Sequence, residues 1–388
     1  MRSEFRSRLL EAANHFGTPL YAYDWVVIQS QLERIRAAFG DARVFYAMKA
    51  NPNLGILRRL NALDVGFEAV SGGEFERALL AGARADQIVL NGPGKTDSDY
   101  VRAGEVGATI VLDALDEFAR VARFAPGSQV LIRVNPGLQV STHDHLATGN
   151  AGSKFGVRLA DVPNAVKLAE QAGLKAIGLH MHIGSSIEDP HDYADALGQM
   201  AALAKIIGAR EVFDMGGGFG LDFDLVPLAK LAREAATSFG ARELWLEPGR
   251  WLVAQAGVLL TQVLGRKQTE RNFAIVDAGM SELIRPMLYG AVHGVESLDG
   301  TGNLETLDIA GPACESGDIL ARDVSLLEPK VGDLLAVLNA GAYAGSMASN
   351  YLTRSKPAEV MLEQNAWVQL RRRDTLQEML RAELEPLD

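Results

Sequence analysis

The sequence predicts an α/β protein: a (β/α)8, TIM-like barrel joined to a second, mostly β domain. Three observations carry this reading. Eight short apolar, β-prone runs recur at 44–47, 64–69, 88–91, 109–112, 130–134, 177–182, 211–215 and 243–246. Between them lie Ala-, Leu- and Glu-rich segments of helical period, and apolar strands alternating with amphipathic helices imply a parallel sheet covered by helices. After Gly265 the rhythm stops. Eight β/α units match a closed barrel, and an open doubly wound sheet is the competing arrangement.

The elements follow in order. Residues 3–16 place Phe5, Leu9, Leu10, Ala13 and Phe16 on one helical face, with Gly17 as the stop. Leu20 to Tyr23 reads as a short strand, and Asp24 as the N-cap of a helix reaching Phe39. The barrel is assigned to 25–265, with helices such as Gly73–Ala81, Leu115–Phe124, Val162–Gln171, Tyr193–Ile207 and Val226–Phe239. Segments 273–276, 305–310, 334–338 and 358–361 then read as strands, and a helical pattern returns only at 374–384. The early strand suits this second domain, which is therefore expected to be discontinuous, 1–24 with 266–388.

The chain has 388 residues, 48% hydrophobic and 22% charged, enough for one large and one smaller globular core. A net charge of −11 disfavours nucleic acid and anionic membranes as partners, though local clusters can still bind small anions. With Cys314 the single cysteine, no intrachain disulfide forms, which suits a reducing, cytoplasmic setting. Residues 1–14 lack the apolar stretch of a signal peptide. The run from Trp251 to Leu264 is broken by Gln255, Gly257 and Gln262 and is too short and polar to span a bilayer.

A barrel enzyme carries its chemistry just after the strands, and polar residues collect there: Lys49; Glu68 and Ser71; Asn91; Asp113; Arg133; His180 and His182; Asp214; Glu247. Lys49 ends a buried strand, where desolvation makes an amine a better nucleophile and suits a Schiff-base lysine. The bland alternative is a snorkelling side chain. Gly216, Gly217 and Gly218 let backbone N–H groups curl around a phosphate, or form a tight turn that binds nothing. Arg250 and Ser185 can donate to the same oxygens. His182 suits stacking on a flat ligand, and His180 is open to a core role. No third ligand of a recognisable motif accompanies the two histidines, so no metal is expected. Glu247 is either one half of an ion pair with Arg250 or the carboxylate that keeps a pyridine nitrogen protonated. A lysine, a phosphate cup, a stacking imidazole and a buried carboxylate are together the parts of a pyridoxal 5'-phosphate site.

The chain resembles the fold type III pyridoxal-phosphate decarboxylases, in particular the branch acting on diaminopimelate. The resemblance spans nearly the whole chain. It rests on Gly17-Thr18-Pro19-Leu20-Tyr21-Ala22-Tyr23-Asp24, Tyr46-Ala47-Met48-Lys49-Ala50-Asn51, Arg133-Val134-Asn135-Pro136-Gly137, Thr148-Gly149, Ser153-Lys154-Phe155-Gly156 and His180-Met181-His182-Ile183-Gly184-Ser185. It continues in Glu247-Pro248-Gly249-Arg250, Arg285-Pro286-Met287-Leu288-Tyr289, Gly311-Pro312-Ala313-Cys314-Glu315-Ser316-Gly317-Asp318 and Gly341-Ala342-Tyr343. The chain departs from the family at Ser186 (usually glutamine), at Ala344 (usually glycine) and over 352–357.

The resemblance implies that Lys49 carries the cofactor, His182 stacks on its ring and Glu247 pairs with the ring nitrogen. Ser185, Gly216, Gly217, Gly218, Pro248, Gly249, Arg250 and Tyr343 would complete the cofactor site. It implies a homodimer with shared active sites, Cys314 serving the partner's site as proton donor. Arg250, Arg285 and Tyr289 would bind the substrate's distal carboxylate, Glu315 its distal ammonium, and Tyr343 would touch both substrate and cofactor. The implied reaction is decarboxylation of meso-2,6-diaminopimelate at its D-centre to L-lysine. Two arginines have no use in a decarboxylase of ornithine or lysine, whose distal end is an ammonium. The nearest alternative is a related distal-carboxylate substrate such as carboxynorspermidine. A racemase of this fold would pair the ring nitrogen with arginine, and a non-catalytic carrier would lack the second domain.

Overall fold

The computed structural model describes residues 1–138, 149 and 152–385, so Thr148 of the motifs above lies outside the described residues. The chain divides into two compact units, Gln31–Trp251 and Met1–Ser30 with Leu252–Asp388.

In the discontinuous unit, helix Ser3–Phe16 is followed by β1 (Leu20–Asp24). Asp24 Oδ1 accepts from the Val26 N–H at 3.1 Å at the start of helix Trp25–Phe39, the expected capping position.

The unit Gln31–Trp251 is a closed parallel barrel. Its strands are β2 (Arg43–Ala47), β3 (Gly66–Ala69), β4 (Ile88–Leu90), β5 (Thr109–Leu112), β6 (Gln129–Asn135), β8 (Lys175–Met181), β9 (Val212–Asp214) and β10 (Glu243–Leu246). A two-residue strand, β7 (Val157–Arg158), lies beside β6. Closure comes from β10 pairing with β2, Trp245 opposite Arg43 and Leu246 opposite Val44. That pairing excludes the open sheet.

The barrel interior is layered by the two-residue period of its strands. Phe45, Val89, Val111, Leu131, Val212 and Trp245 form one buried apolar cluster, with the Phe45 and Trp245 rings 4.5 Å apart. Two residues further along, on the same strands or one residue past their ends, stand Asn91, Asp113, Arg133, Asp214 and Glu247, all buried. Glu68 follows Gly66 and His180 follows Gly178 in the same way, and both are fully buried. The lower layer packs the barrel shut, and the upper layer is polar and faces the strand ends.

The other unit is built on a mixed sheet. Its later strands are β11 (Gly257–Gln268), β12 (Asn272–Val276), β13 (Val295–Ser297), β14 (Leu304–Ala310), β15 (Ile319–Leu327), β16 (Leu334–Val337), β17 (Ala358–Glu363) and β18 (Ala366–Arg371). The order is β15-β14-β12-β11-β1-β17-β18, with β16 pairing β11 and β13. β1 lies antiparallel to β11 and parallel to β17, and so stitches the N-terminus into the C-terminal strands. Phe5, Leu9, Ala12 and Ala13 of the first helix pack on Leu20, Ala22, Val258, Leu260 and Val360. The expected barrel boundary at 265 differs from this arrangement. From Gly257 the chain is already a strand of the mixed sheet, because its apolar residues register against β1, Leu260 opposite Leu20. Among the described residues no helix is long and apolar enough to cross a membrane.

Candidate active site

Lys49 sits in the single 3-10 turn Met48–Ala50 that follows β2. Asn53 then caps helix Leu54–Ala62, its side chain accepting from the Gly55 N–H at 2.8 Å. The Lys49 ammonium donates to Glu68 Oε2 at 2.7 Å. The amine is therefore not the desolvated group expected: its side chain is 37% exposed and a fully buried carboxylate faces it. Burial raises the Glu68 carboxyl, and the charge of Glu247 adds to that rise, while Lys49 opposes it.

Glu247 is fixed by its backbone and by His180. Its N–H donates to Gly216 O at 2.8 Å, and Oε2 lies 3.0 Å from His180 Nε2. A carboxylate oxygen only accepts, so the Nε2–H of His180 faces it. Oε1 is buried and receives no hydrogen bond among the described residues. Burial, the largest single influence, pushes the Glu247 carboxyl up, but His180, Lys49 and Arg133 together outweigh it, and the carboxyl falls below its usual value. Asp214 goes the other way: burial first, and then the Glu247 charge, hold it well above the carboxylate range.

His182 is half-buried, and its Nδ1 accepts from the Gly217 N–H at 3.3 Å. Burial, followed by the charges of Lys49, Arg133 and His180, holds it well below the ordinary imidazole value. It is a neutral ring with Nδ1 as acceptor, which suits stacking.

The glycine turn is shaped by close approach. Gly216 and Gly218 have φ of +69° and +109°, a region costly for other residues. A Cβ on Gly217 would come within 2.1 Å of Glu247 O, and on Gly216 within 2.3 Å of Met181 O. The turn is thus wedged between the ends of β8 and β10. Asp214 Oδ1 accepts the Gly216 N–H at 2.8 Å, and the Tyr193 hydroxyl donates to Gly217 O at 3.0 Å. Ser185 is half-buried just beyond β8. Pro248 O accepts the Ala47 N–H at 3.1 Å, and after Gly249 the residue Arg250 opens the short helix Arg250–Val253.

These residues fit pyridoxal phosphate. Lys49 supplies the amine, Glu247 Oε1 is a buried carboxylate oxygen that receives no hydrogen bond among the described residues, His182 is neutral, and the glycine turn offers a close backbone approach with no side chains in the way. Lys49, His182, Ser185, Gly216, Gly217, Gly218, Glu247, Pro248, Gly249 and Arg250 all lie at or just beyond barrel strand ends.

Arg285, Tyr289, Cys314, Glu315 and Tyr343 belong to the other unit. Arg285 and Tyr289 bracket the helix Arg285–Tyr289. Arg285 Nη1 lies 3.2 Å from His293 Nε2. Cys314 is exposed, unlike the small buried hydrophobe a lone cysteine suggests by default. Its loop is braced by buried Asp318, which accepts from the Met280 N–H at 2.6 Å and the Ala313 N–H at 2.8 Å. The Tyr351 hydroxyl donates to Glu315 Oε1. Tyr343 has φ of +54°.

Sequence reasoning places Glu68 and Asp214 at strand ends without a role, and misses His293 and Tyr351. The signal for the first two is the shared two-residue offset of the inward positions. Nothing local marks the other two.

A family model for the pyridoxal-binding domain of pyridoxal-dependent decarboxylases matches residues 26–254. The chain is 52% identical over 379 residues to a diaminopimelate decarboxylase of Deinococcus radiodurans, covering 98% of this chain and 99% of that one. It resembles the crystal structure of diaminopimelate decarboxylase from Helicobacter pylori complexed with L-lysine at a TM-score of 0.93 and 32% identity, over 98% of this chain and 100% of that chain. Lysine decarboxylase from Selenomonas ruminantium is similar at a TM-score of 0.83 and 26% identity, over 94% and 97%.

Proposed function

The chain belongs to the diaminopimelate decarboxylase family of pyridoxal-dependent decarboxylases, and on that premise we propose that it converts meso-2,6-diaminopimelate to L-lysine and CO2. This is the last step of lysine biosynthesis. The observation that carries the reading is Glu247: a buried carboxylate kept ionised by His180, with one oxygen receiving no donor, in the same barrel-end layer as Glu68, the partner of Lys49.

Pyridoxal phosphate, when bound, supplies the electron sink for the pair released as the C–C bond breaks. Lys49 would hold it through its amine. Glu247 would keep its ring nitrogen protonated, and His182 would lie against its ring. Gly216, Gly217, Gly218, Ser185, Pro248, Gly249 and Arg250 would hold its phosphate end, with Tyr343 as a further contact. At the substrate, the D-centre carboxylate leaves as CO2 and a proton takes its place on the same carbon. Cys314 donates that proton, and its exposure on a braced loop suits service to a partner subunit's site in a homodimer. Arg250, Arg285 and Tyr289 bind the distal carboxylate and Glu315 the distal ammonium, with Tyr343 alongside, since a zwitterionic end calls for both a donor fork and a carboxylate. The setting we assign is the cytoplasm.

The test is CO2 release from meso-diaminopimelate, lysine, ornithine and carboxynorspermidine in parallel. Release from diaminopimelate alone is the expected result. Preference for either diamine precursor, or for carboxynorspermidine, overturns the substrate assignment.

A further inference from the structure

Asp214 is fully buried on the last residue of β9, and the catalytic reading leaves it without a task. Its two oxygens have different fates. Oδ1 accepts the Gly216 N–H at 2.8 Å, while Oδ2 is buried and receives no hydrogen bond among the described residues. Glu247 shows the same division, Oε2 on His180 and Oε1 without a donor. Asp214, Glu247 and His180 each bring one ligand-type side-chain atom to within 4.8 Å of the others.

We propose that Asp214 is a positioning residue that keeps a proton in the barrel-end layer and shares it with Glu247, so that the glycine turn and the ring-nitrogen carboxylate are held as one unit. Two buried carboxyl groups this close do not both ionise. Glu247 has the stronger claim to the charge, because His180 donates to it, whereas Asp214 has only a neutral backbone N–H. The proton therefore resides on Asp214. It sits on Oδ2, since Oδ1 is occupied as an acceptor. A carboxylate oxygen can accept twice, so Glu247 Oε1 can take this proton's hydrogen bond and still face the cofactor. The charged groups around Asp214 and Glu247 are Glu68, Lys49, Arg133 and His180. Arg133 is itself paired with buried Asp113 at 3.2 Å, so two cations and a histidine face the carboxylates Glu68 and Asp113, and the layer tolerates one further ionised carboxylate, at Glu247, more readily than two. The effect on the reaction rests on the proposed role of Glu247, but the shared proton itself does not.

Infrared spectra of the apoenzyme at neutral pH provide the test, read together with the affinity of each apoenzyme for pyridoxal phosphate. Wild type should show the carbonyl stretch of a protonated buried carboxyl, and Asp214→Asn should lose that band. Because asparagine keeps an acceptor for Gly216 and a donor for Glu247, Asp214→Asn should bind the cofactor at least about tenfold more tightly than Asp214→Ala, a difference of about 1.4 kcal/mol. A wild-type spectrum without the band, or a band that survives in Asp214→Asn, overturns the proposal. So does cofactor affinity as weak in Asp214→Asn as in Asp214→Ala. If Asp214→Ala does not fold, the band in wild type and Asp214→Asn decides alone. Failure of the proposed role of Glu247 looks different: Glu247→Gln would retain full turnover while the Asp214 band behaved as stated.

Discussion

His293 can serve Arg285 only as an acceptor. Its Nδ1 lies 2.8 Å from Leu338 O and its Nε2 lies 3.2 Å from Arg285 Nη1. A carbonyl cannot donate and a guanidinium cannot accept, so the proton is on Nδ1 and the lone pair on Nε2 faces the arginine. The buried imidazole thereby aims a guanidinium assigned to the substrate's distal carboxylate. Arg285→Ala should raise KM for diaminopimelate by about tenfold or more, the loss of a charge-assisted hydrogen bond of roughly 1.5–3 kcal/mol. His293→Phe should also raise KM, by less, with kcat within about twofold of wild type. Steady-state kinetics on both variants checks this, and an unchanged KM in Arg285→Ala removes that residue from the substrate site.

Glu68 holds the Lys49 ammonium at 2.7 Å. An adjacent carboxylate favours the protonated amine, and a neutral amide does so less. In apoenzyme carrying Glu68→Gln, reductive labelling of Lys49 by pyridoxal and borohydride at neutral pH should run several-fold faster than in wild type. Mass spectrometry of the labelled peptide gives the rate, and a slower rate would count against the pairing as drawn.

Gly217 is a purely steric position, since its φ is ordinary and the obstacle is Glu247 O at 2.1 Å from a Cβ. Gly217→Ala must displace either the glycine turn or the Glu247-Pro248 peptide, an overpacking cost of about 1–3 kcal/mol. Affinity for pyridoxal phosphate should fall by about tenfold or more. Spectroscopic titration of apoenzyme measures it, and wild-type affinity would show that the turn does not hold the cofactor.

Asp308 links stability to pH far from the active site. Its buried side chain takes two hydrogen bonds from Arg271 at 2.7 Å and one from the Asp323 N–H at 2.9 Å. Arg271 holds the carboxyl below its ordinary value. A carboxyl lowered by folding contributes stability that is complete above the unfolded value of about 3.9 and is lost as pH falls below it. Asp308→Asn should therefore cost about 2 kcal/mol at pH 7 and much less near pH 3. Urea midpoints at the two pH values test the sign, and a cost that grows on acidification would refute it.

Much of the barrel is legible in the sequence because its strands are buried on both faces and read as continuous apolar runs. All eight expected runs form strands, with ends shifted by a few residues. The helices Leu54–Ala62 and Asp97–Val106 escape notice, since each is short and mixes charge into its apolar spacing. The boundary at 265 misplaces β11 because an apolar run does not reveal which sheet will receive it. At the site, residue types and their strand-end positions are readable, but partners are not. Glu68 lies 19 residues from Lys49, and Glu247 lies 67 from His180.

By itself the sequence determined the period of the strands, the residues that end them and therefore the class of chemistry available. Inward positions repeat every two residues, so Val212 and Asp214, or Trp245 and Glu247, share a face whatever the tertiary fold. Only the tertiary structure decided closure and charge. β10 meets β2 across nearly the whole barrel sequence. An irregularity near Ile177 pairs Val130 with Ala176 but Leu131 with Gly178, and sets His180 in line with the inward layer. Which carboxyl is ionised follows from burial and from neighbours brought by distant strands. Pairing between strands and desolvation are long-range quantities, set by what the rest of the chain places around a residue, and no local pattern encodes them.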